Sequence, residues 1–381
     1  MWSRPALAAA FVLAASAGLP QEPSFQVTAG NALDLARPAE TIEVPLSALG
    51  GLKPDDLARV GVVETRTGRE LPSQPTDGDG DHDFDRLVFQ ADFGPKETKA
   101  FTLTLGQKHV PRPEEFRVYG RFVRERFDDF AWENDRVAHR MYGTALETWE
   151  REPLTSSTVD VWLKRTRRLV LNDWYMADDY HRDNGEGADF YSAGRSRGCG
   201  GSGLWRDGKL VVSRNFRESR VLANGPIRLV FELRYPLWDA SGIRSETKRV
   251  TLDAGQNFNR FENRYDADNA ATYAAGIKKT AAANVRIERD RGWFRTWEPV
   301  KEKENLGQFG CAVVIDPLSV IEVTEAEGNQ VMVARTPAVY YAGSAWDRSG
   351  DFPRGKEDFD HLIDQWTQRI KSPVRVEVSA Q

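Results

Sequence analysis

Short runs of alternating apolar and polar residues recur along this 381-residue chain, each bounded by Pro, Gly, Asp or Asn. A period of two is typical of β-strands with one buried face, and closely spaced runs of this kind are typical of β-sandwiches. Asn224-Gly225 and Gly328-Asn329 each separate two runs and predict β-hairpins. The sequence therefore predicts a mostly β fold. The runs are 41–46, 60–64, 87–91, 100–105, 158–163, 210–213, 227–235, 246–252, 258–265, 312–315, 320–323 and 331–335.

The length of the chain exceeds the usual size of a single hydrophobic core, so we expect two domains. A charged, proline-bearing connection at 107–115 predicts the boundary between them. We expect a small N-terminal β-sandwich at 24–106 and a larger antiparallel β-sandwich at 116–379. Phe359, Ile363 and Ile370 recur at helical spacing before Pro373, which predicts one C-terminal helix.

The first 20 residues combine Arg4, an apolar run at 6–15 and the small residues Ala15-Ser16-Ala17, a pattern typical of a secretory signal peptide. The run is too short to cross a bilayer, so we expect an exported protein, periplasmic or secreted, without a membrane anchor after cleavage. The 52 basic and 57 acidic residues contain no basic stripe, which argues against a nucleic-acid partner.

Residues 174–205 are rich in Tyr, His, Arg and acids, contain almost no aliphatic side chains and end in a glycine-rich run at 198–203. This composition predicts a long functional loop. Tyr180 and His181 are candidate proton-transfer groups within it, although surface or structural hydrogen bonding is the alternative for each. The glycine-rich run predicts either an anion-binding nest of backbone N–H groups or a flexible turn.

A second polar and aromatic segment covers 128–146. If it is extended, Trp132, Asn134 and Arg136 share one face, whereas a helix would bring Arg136 near Arg140. The sequence does not distinguish these conformations. Aromatic residues interleaved with Asn and Arg indicate a ligand groove, and a solvated charged face is the alternative.

Asp77, Asp79, Asp81 and Asp83 follow one another at every second position. Such a density of carboxylates is able to coordinate Ca²⁺, but His82 stands where an EF-hand needs glycine. The alternative is an Asp/Gly turn held by bonds from side chain to backbone. We expect at most a structural calcium ion here, and no cofactor is required for the chemistry considered below.

Several stretches make the chain similar to a family of exported bacterial proteins that carry a domain of unknown function and are associated with the breakdown of uronate-containing polysaccharides. They are AWENDRVAHRMYGTALE, DVWLKR, DDYHRDNGEGADFY, SRGCGGSGLW, AAGIKK, VYYAGSAWDRSGDFP and, near the N-terminus, DGDGDHDFDRLVF. The resemblance implies a galactose-mutarotase-like supersandwich. It also implies β-elimination at a uronic acid residue of an acidic oligosaccharide, such as dehydration of a terminal residue.

This chemistry requires positive groups that stabilise the charge on the uronate carboxylate, together with a base and an acid. We expect Arg136 and Asn134 to bind the carboxylate, His181 to be the base, and Tyr180 or Tyr142 to be the acid. The expected substrate contacts are Arg140, Trp132, Glu133, Trp174, Tyr191, Arg195, Arg197 and Trp205.

Two other functions remain open at this point. A glycoside hydrolase needs two carboxylates, and Glu133, Asp183 and Asp189 are among the candidates. A non-catalytic carbohydrate-binding protein would use the aromatic residues alone.

Overall fold

A computed structural model describes residues 23–380 except 107, 151, 152, 178, 302 and 303. The signal peptide predicted at 1–20 lies outside the described residues. Within them the fold is mostly β and antiparallel, which confirms the predicted fold class. No described helix has the length and apolar character that a membrane crossing needs.

The strands before residue 106, together with the C-terminal strand, form two antiparallel sheets that pack around one apolar core. The first strand shows why: Phe25, Val27 and Ala29 are buried, and the residues between them are partly exposed. One sheet has the order β26-β1-β7-β3-β4 and the other β2-β6-β5. The strands are β1 (Ser24–Gly30), β2 (Arg37–Pro45), β3 (Val60–Glu64), β4 (Arg69–Leu71), β5 (Ser73–Thr76), β6 (Arg86–Phe93), β7 (Thr98–Leu105) and β26 (Arg375–Ala380).

The C-terminal strand β26 pairs with β1, with Val378 opposite Val27. The last residues of the range 116–379 therefore complete the sheet of the first domain. This pairing joins the two ends of the described chain, which the sequence patterns do not indicate.

The larger part of the chain contains three antiparallel sheets. The eight-stranded sheet has the order β15-β16-β17-β18-β25-β22-β21-β20, and two five-stranded sheets have the orders β14-β13-β19-β24-β23 and β12-β11-β10-β9-β8. The strands are β8 (Val118–Val123), β9 (Asp129–Asn134), β10 (Ala138–Met141), β11 (Asp160–Lys164), β12 (Gly187–Ala188), β13 (Cys199–Arg206), β14 (Lys209–Val211), β15 (Glu218–Asn224), β16 (Arg228–Tyr235), β17 (Ile243–Asp253), β18 (Phe258–Ala267), β19 (Thr272–Lys278), β20 (Arg286–Glu288), β21 (Trp293–Lys301), β22 (Glu304–Val314), β23 (Val320–Ala326), β24 (Asn329–Arg335) and β25 (Ala338–Trp346).

One apolar core joins these three sheets. Phe130 of β9 stacks on Phe231 of β16 with ring centroids 4.2 Å apart. Tyr273 of β19 contacts Tyr340 of β25, at 6.1 Å between centroids. The sheet that carries β9 to β11 therefore has one face fixed against the eight-stranded sheet.

Two α-helices occur in the described residues, α1 (Leu171–Met176) and α2 (Lys356–Lys371). The second confirms the predicted C-terminal helix: its buried Phe359 and Ile363 pack on the outer face of the eight-stranded sheet, beside Phe258. Short 3₁₀ helices lie at Leu46–Ala48, Pro54–Arg59, Pro113–Glu115, Arg124–Arg126, Thr144–Thr148 and Arg289–Arg291.

The glycine-rich run is a strand, so both of its predicted conformations, the nest and the turn, are wrong. Cys199–Arg206 forms β13 and pairs with β19. Gly200 has φ +101°, and a Cβ there would lie 2.2 Å from the Cβ of Ala342. Glycine is needed at this position because β13 lies directly against β25.

Candidate active site

A cleft of about 260 Å³ opens beside the sheet that carries β9, β10 and β11. One end is lined by charged and proton-bearing side chains, and the other by aromatic and aliphatic ones. The charged end contains Arg126, Asp129, Arg140, Tyr142, His181, Asp189 and Lys301, and the apolar end includes Phe127, Leu146, Trp149 and Leu154.

Arg140 lies at the centre of the charged end. It is opposite Asp160 in the pairing of β10 with β11, so the two side chains share one face of the sheet. Its Nε lies 2.8 Å from Asp160 Oδ2, and its Nη2 lies 2.8 Å from Asp189 Oδ2. Asp129 of β9 is 3.7 Å away. One guanidinium therefore holds three buried carboxylates, and little of its donor capacity is left for a ligand.

Three acids around one arginine leave an excess of negative charge in a buried place. Burial raises the pKa of Asp129 to about 7, although Arg140 and Arg126 act against this shift. Burial also raises the pKa of Asp160 and of Asp189, again against the pull of Arg140. Near neutral pH the cluster therefore holds a proton that a single carboxylate would lose, and Asp129 is a site for it.

The two tyrosines differ in their access to the cleft. The hydroxyl of Tyr180 accepts hydrogen bonds from Arg126 and, at 3.0 Å, from Nη1 of Arg140, but Tyr180 does not line the cleft. Tyr142 lines the cleft, and its hydroxyl donates to Asp160 Oδ2 at 3.3 Å. Burial raises the pKa of both phenols. Tyr180 contacts the two arginines, whereas Tyr142, like Tyr191, lines the cleft itself.

His181 lies at the mouth of the cleft, and its side chain is 51% exposed. Its Nδ1 is 3.0 Å from the carbonyl oxygen of Asp189. A carbonyl only accepts hydrogen bonds, so Nδ1 carries the proton and Nε2 has its lone pair free in the neutral ring. The N–H of Asp189 donates to the carbonyl oxygen of Tyr180 at 3.0 Å, and this bond closes the loop that connects His181 to Asp189.

Arg126 and Lys301 supply further positive charge to the cleft. The guanidinium of Arg126 contacts the hydroxyl of Tyr180 and lies over the Tyr180 ring, while its buried Nε has no hydrogen-bond partner. Among the described residues, no carboxylate lies within 4.0 Å of Arg126. It is therefore an arginine that a bound anion is able to reach.

The backbone next to Arg126 is strained. Phe127 and Asp128 have φ values of 55° and 63°, an uncommon conformation for residues other than glycine. The ring of Phe127 lies 4.4 Å from that of Trp149, at 31° between planes, and both line the apolar end of the cleft. Strain of this kind is concentrated at functional sites.

The structure does not bring Asn134 and Arg136 into this cleft. Within segment 128–146, β9 and β10 form a β-hairpin, and the side chain of Asn134 closes its turn by accepting from the N–H groups of Arg136 and Val137 at 2.8 and 2.9 Å. Arg136 instead pairs with Asp351 at 2.8 Å. The two residues expected to bind the carboxylate therefore have other roles: Asn134 stabilises a turn, and Arg136 forms a separate ion pair.

Most of the expected substrate contacts also lie elsewhere. Glu133 is fully buried and bonded to Lys164, and Trp132 is a core residue whose Nε1 donates to Asn259. Trp174 stacks on Trp162 within an apolar cluster. Of the residues predicted from the sequence, the cleft brings together Arg140, Tyr142, His181, Tyr191 and the hydrolase candidate Asp189.

The remaining candidates lie outside the cleft. Arg197 is buried and donates to Ser157, and burial lowers its pKa to about 10. Arg195 is exposed, and Trp205 packs beside Leu210 in a small apolar cluster.

In the aspartate-rich loop, backbone N–H groups donate hydrogen bonds to a carboxylate of the same loop. Asp77 accepts from the N–H of Gly80 and, at 3.0 Å, from that of His82. Carboxylate oxygens of Asp77, Asp79 and Asp81 lie within 4.8 Å of one another, and Asp83 is outside this group. These three side chains are the ones that would hold a calcium ion, and the hydrogen bonds of Asp77 fit the alternative of an Asp/Gly turn.

Sequence reasoning missed Arg126, Asp129, Asp160 and Lys301. Asp129 and Asp160 are single acids within strands, and only the pairing of β9, β10 and β11 places them around Arg140. An acid at an inward-facing strand position is the signal that would have identified them.

The fold and the cleft together define a protein of β-sandwich domains with a polar cleft built on a buried cluster of acids around one arginine. The chain belongs to the family described as "Domain of unknown function (DUF4861)", whose model matches residues 30–376. It is 32% identical over 372 residues to "Uncharacterized protein P7" of Formosa agariphila, an alignment that covers 92% of this chain and 93% of that protein.

Among solved structures, the chain is similar to a protein in the glycosyl hydrolase family 38 from Enterococcus faecalis. The TM-score is 0.47 and the sequence identity is 11%, over 95% of this chain and 48% of that one. The chain spans about half the length of that protein.

Proposed function

We propose that this protein is a carbon–oxygen lyase that performs β-elimination at a terminal uronic acid residue of an acidic oligosaccharide. The observation that carries the proposal is the setting of His181: its Nδ1 is held by the Asp189 carbonyl, and the residue lines the same cleft as Arg126 and Asp129. These three groups are a base, an anion-binding cation and a proton-bearing acid.

In the proposed reaction, Nε2 of His181 takes the proton from C5 of the uronate. The electron pair of the C5–H bond forms the C4=C5 double bond, and the bond from C4 to its oxygen breaks. His181 suits this step because a neutral imidazole is a base near neutral pH, and a positioned base contributes about 10²- to 10⁴-fold in rate.

The departing oxygen needs a proton. Asp129 is the better matched donor, because its pKa of about 7 keeps it protonated in weakly acidic solution and its Oδ1 is buried without a hydrogen-bond partner. Tyr142, the acid expected from the sequence, is the second donor in the cleft, but its hydroxyl is bonded to Asp160. With a terminal uronate the leaving group is the 4-hydroxyl, which departs as water.

Arg126 is the proposed partner of the uronate carboxylate. Loss of the C5 proton delocalises charge onto that carboxylate, so a fixed guanidinium stabilises the transition state more than the ground state. Removing one such donor typically lowers kcat by about 10²- to 10³-fold. Arg140 is assigned a positioning role because its contacts are to Asp160, Asp189 and Tyr180.

The dimensions of the cleft favour a chain end. Its 260 Å³ lies just below the range of about 300–1,000 Å³ of sites for drug-sized ligands. It therefore suits one sugar residue and part of the next, which would pack on the Phe127 and Trp149 rings. The signal peptide pattern at 1–20 agrees with action on a glycan outside the cytoplasm.

The test is to incubate the protein with oligosaccharides that end in glucuronate or iduronate at the non-reducing end. Elimination produces the ultraviolet absorbance of an unsaturated uronate and a mass lower by one water. If no uronate-ended glycan yields this product, the proposal is wrong.

Hydrolysis is the second candidate, because two acids, Asp129 and Asp189, line the same cleft and a glycoside hydrolase needs a pair. Asp189 is bonded to Arg140 at 2.8 Å, so the second carboxylate of such a pair is already engaged, and this favours elimination. Product analysis separates the reactions, since hydrolysis adds water and creates a new reducing end without a double bond.

A further inference from the structure

Two cavities outside the cleft share Gln256 and Arg369 in their walls. They lie where the N-terminal sandwich, the outer face of the eight-stranded sheet and α2 meet, and their volumes are about 620 and 360 Å³. The larger volume is within the range typical of ligand sites. None of the residues that line the catalytic cleft lines either cavity.

The wall of the larger cavity contains five arginines and five acids, and Arg369 is the arginine that has no ion pair within 4.0 Å among the described residues. Four other arginines in its wall each pair with an acid. They are Arg86 with Glu43 at 3.1 Å, Arg228 with Asp253 at 2.6 Å, Arg249 with Glu232 at 2.8 Å, and Arg260 with Glu262.

Arg369 is only 8% exposed, and its Nε has no hydrogen-bond partner. Its Nη2 donates to the carbonyl oxygen of Ala36 at 3.1 Å, and no carboxylate of the described residues lies within 4.0 Å. Glu40 acts on it at longer range but is paired with Arg37 at 2.9 Å. Arg37 and Arg369 thus have one acid between them.

A buried cation without an ion partner is costly in free energy. The position of Arg369 in the last turn of α2 offsets part of that cost through the helix dipole. The helix dipole leaves Nε of Arg369 without a hydrogen-bond partner, and it does not account for the two cavities that Arg369 lines. A bound anion would supply the missing counter-charge and occupy the cavity.

Aromatic rings form the wall of the larger cavity next to Arg369. Trp366 stacks on Phe258 with centroids 5.2 Å apart and meets Tyr341 edge-on at 5.9 Å. The buried Nε1 of Trp366 has no hydrogen-bond partner. The Arg369 guanidinium lies over the Trp366 ring at 5.9 Å from its centroid, and a cation beside aromatic rings in a cavity wall is suited to a sugar that carries an acidic group.

We propose that this interdomain cavity is a second carbohydrate site, which binds an acidic sugar by placing its carboxylate or sulfate on Arg369 and its ring beside Trp366. The site is independent of the proposed elimination and needs no turnover. It would hold the protein on an acidic glycan while the cleft acts on a chain end.

The test uses Arg126→Gln protein, so that the anion site of the cleft does not contribute. Calorimetry is performed with glucuronate, glucose 6-sulfate and glucose. We expect the two acidic sugars to bind and glucose not to bind, and the stronger of the two identifies the oxyanion. In thermal unfolding, either acidic sugar at about 100 times its Kd is expected to raise the Tm by about 2 °C or more.

Adding Arg369→Gln should abolish these effects. Arg197→Gln is the matched control, because Arg197 is 3% exposed, has no ion pair within 4.0 Å in the described residues and lines neither cavity. Equal binding by both double variants would overturn the proposal, as would no binding of either acidic sugar to the Arg126→Gln protein. If Arg369→Gln fails to fold, Arg369→Lys and Trp366→Phe replace it, and unchanged affinity in both also overturns the proposal.

Discussion

The imidazole of His181 is oriented by Asp189 through two contacts. Nδ1 lies 3.0 Å from the carbonyl oxygen and 3.4 Å from carboxylate Oδ2 of the same residue. That carboxylate also binds Arg140 at 2.8 Å. The exposed histidine is therefore attached directly to the buried acid cluster.

Replacing His181 by Gln should lower kcat on a uronate-ended oligosaccharide by about 10²- to 10⁴-fold, because the base is lost. KM should change little, since the anion-binding Arg126 remains. Steady-state kinetics by ultraviolet absorbance measures both constants. His109→Gln is the control, because His109 bonds to Glu115 in the connection between the domains and does not line the cleft. A His181→Gln enzyme as active as the His109→Gln enzyme would remove the assigned role.

Arg126→Gln should lower kcat/KM by about 10²- to 10³-fold by removing charge stabilisation from the transition state. Arg126→Lys should recover part of the loss, because it restores the charge but not the fork geometry. The exposed Arg195, which was expected to bind substrate and lies outside the cleft, provides the comparison variant Arg195→Gln. An equal loss in both Gln variants would show that net charge, and not the position of Arg126, is what matters.

The β fold was predictable because the buried side of each strand is recorded locally in the alternation of residues. Val60–Glu64 coincides with a predicted run, and Asn224-Gly225 and Gly328-Asn329 connect paired strands as predicted. The glycine-rich run was misinterpreted because Gly200 serves close packing against Ala342, a contact with a distant strand.

The site was predictable only in part, for the same reason. His181 and Tyr142 were found because polar aromatic segments are unusual in a core. Asn134 and Arg136 have the same chemical character, but their side chains satisfy a hairpin turn and Asp351. Which polar groups serve the backbone and which serve a ligand depends on the pairing of distant strands, and composition does not contain that information.

The pKa of Asp129 predicts a pH dependence of stability. Its folded value of about 7 is above the unfolded value near 3.8, so the folded protein keeps a proton that the unfolded chain releases. The stability from this group is present in full below about pH 4 and is lost as the pH rises through 7. The Asp129→Asn variant has no carboxyl group at this position, so it does not lose this stability as the pH rises. The free energy of unfolding of the variant should rise relative to wild type by about 3 kcal/mol between pH 5 and pH 8.

Urea denaturation at several pH values measures this difference. Asp128→Asn is the neighbouring control, since asparagine also tolerates the left-handed backbone at that position. Parallel pH profiles for wild type and Asp129→Asn would contradict the raised pKa. Activity provides a second readout, because kcat of the wild type should fall above about pH 7 as Asp129 loses its proton.

Glu133 and Lys164 form a fully buried ion pair, 2.5 Å apart, that sets the start of α1. Glu133 also accepts from the N–H groups of Val170 and Leu171, both at 2.7 Å. Burial raises the pKa of Glu133 and lowers that of Lys164, and in each case the charge of the partner acts against the shift. Glu133→Gln leaves the lysine charge unpaired and should cost about 3–5 kcal/mol in the free energy of unfolding.

The double variant Glu133→Met/Lys164→Met has no unpaired charge, so its loss should be smaller than that of Glu133→Gln. Urea denaturation of the three proteins at one pH provides the comparison. A Glu133→Gln protein as stable as wild type would mean that the charge of Glu133 is not needed. A double variant that loses more free energy of unfolding than Glu133→Gln would mean that the backbone hydrogen bonds of Glu133, and not its charge, hold α1 in place.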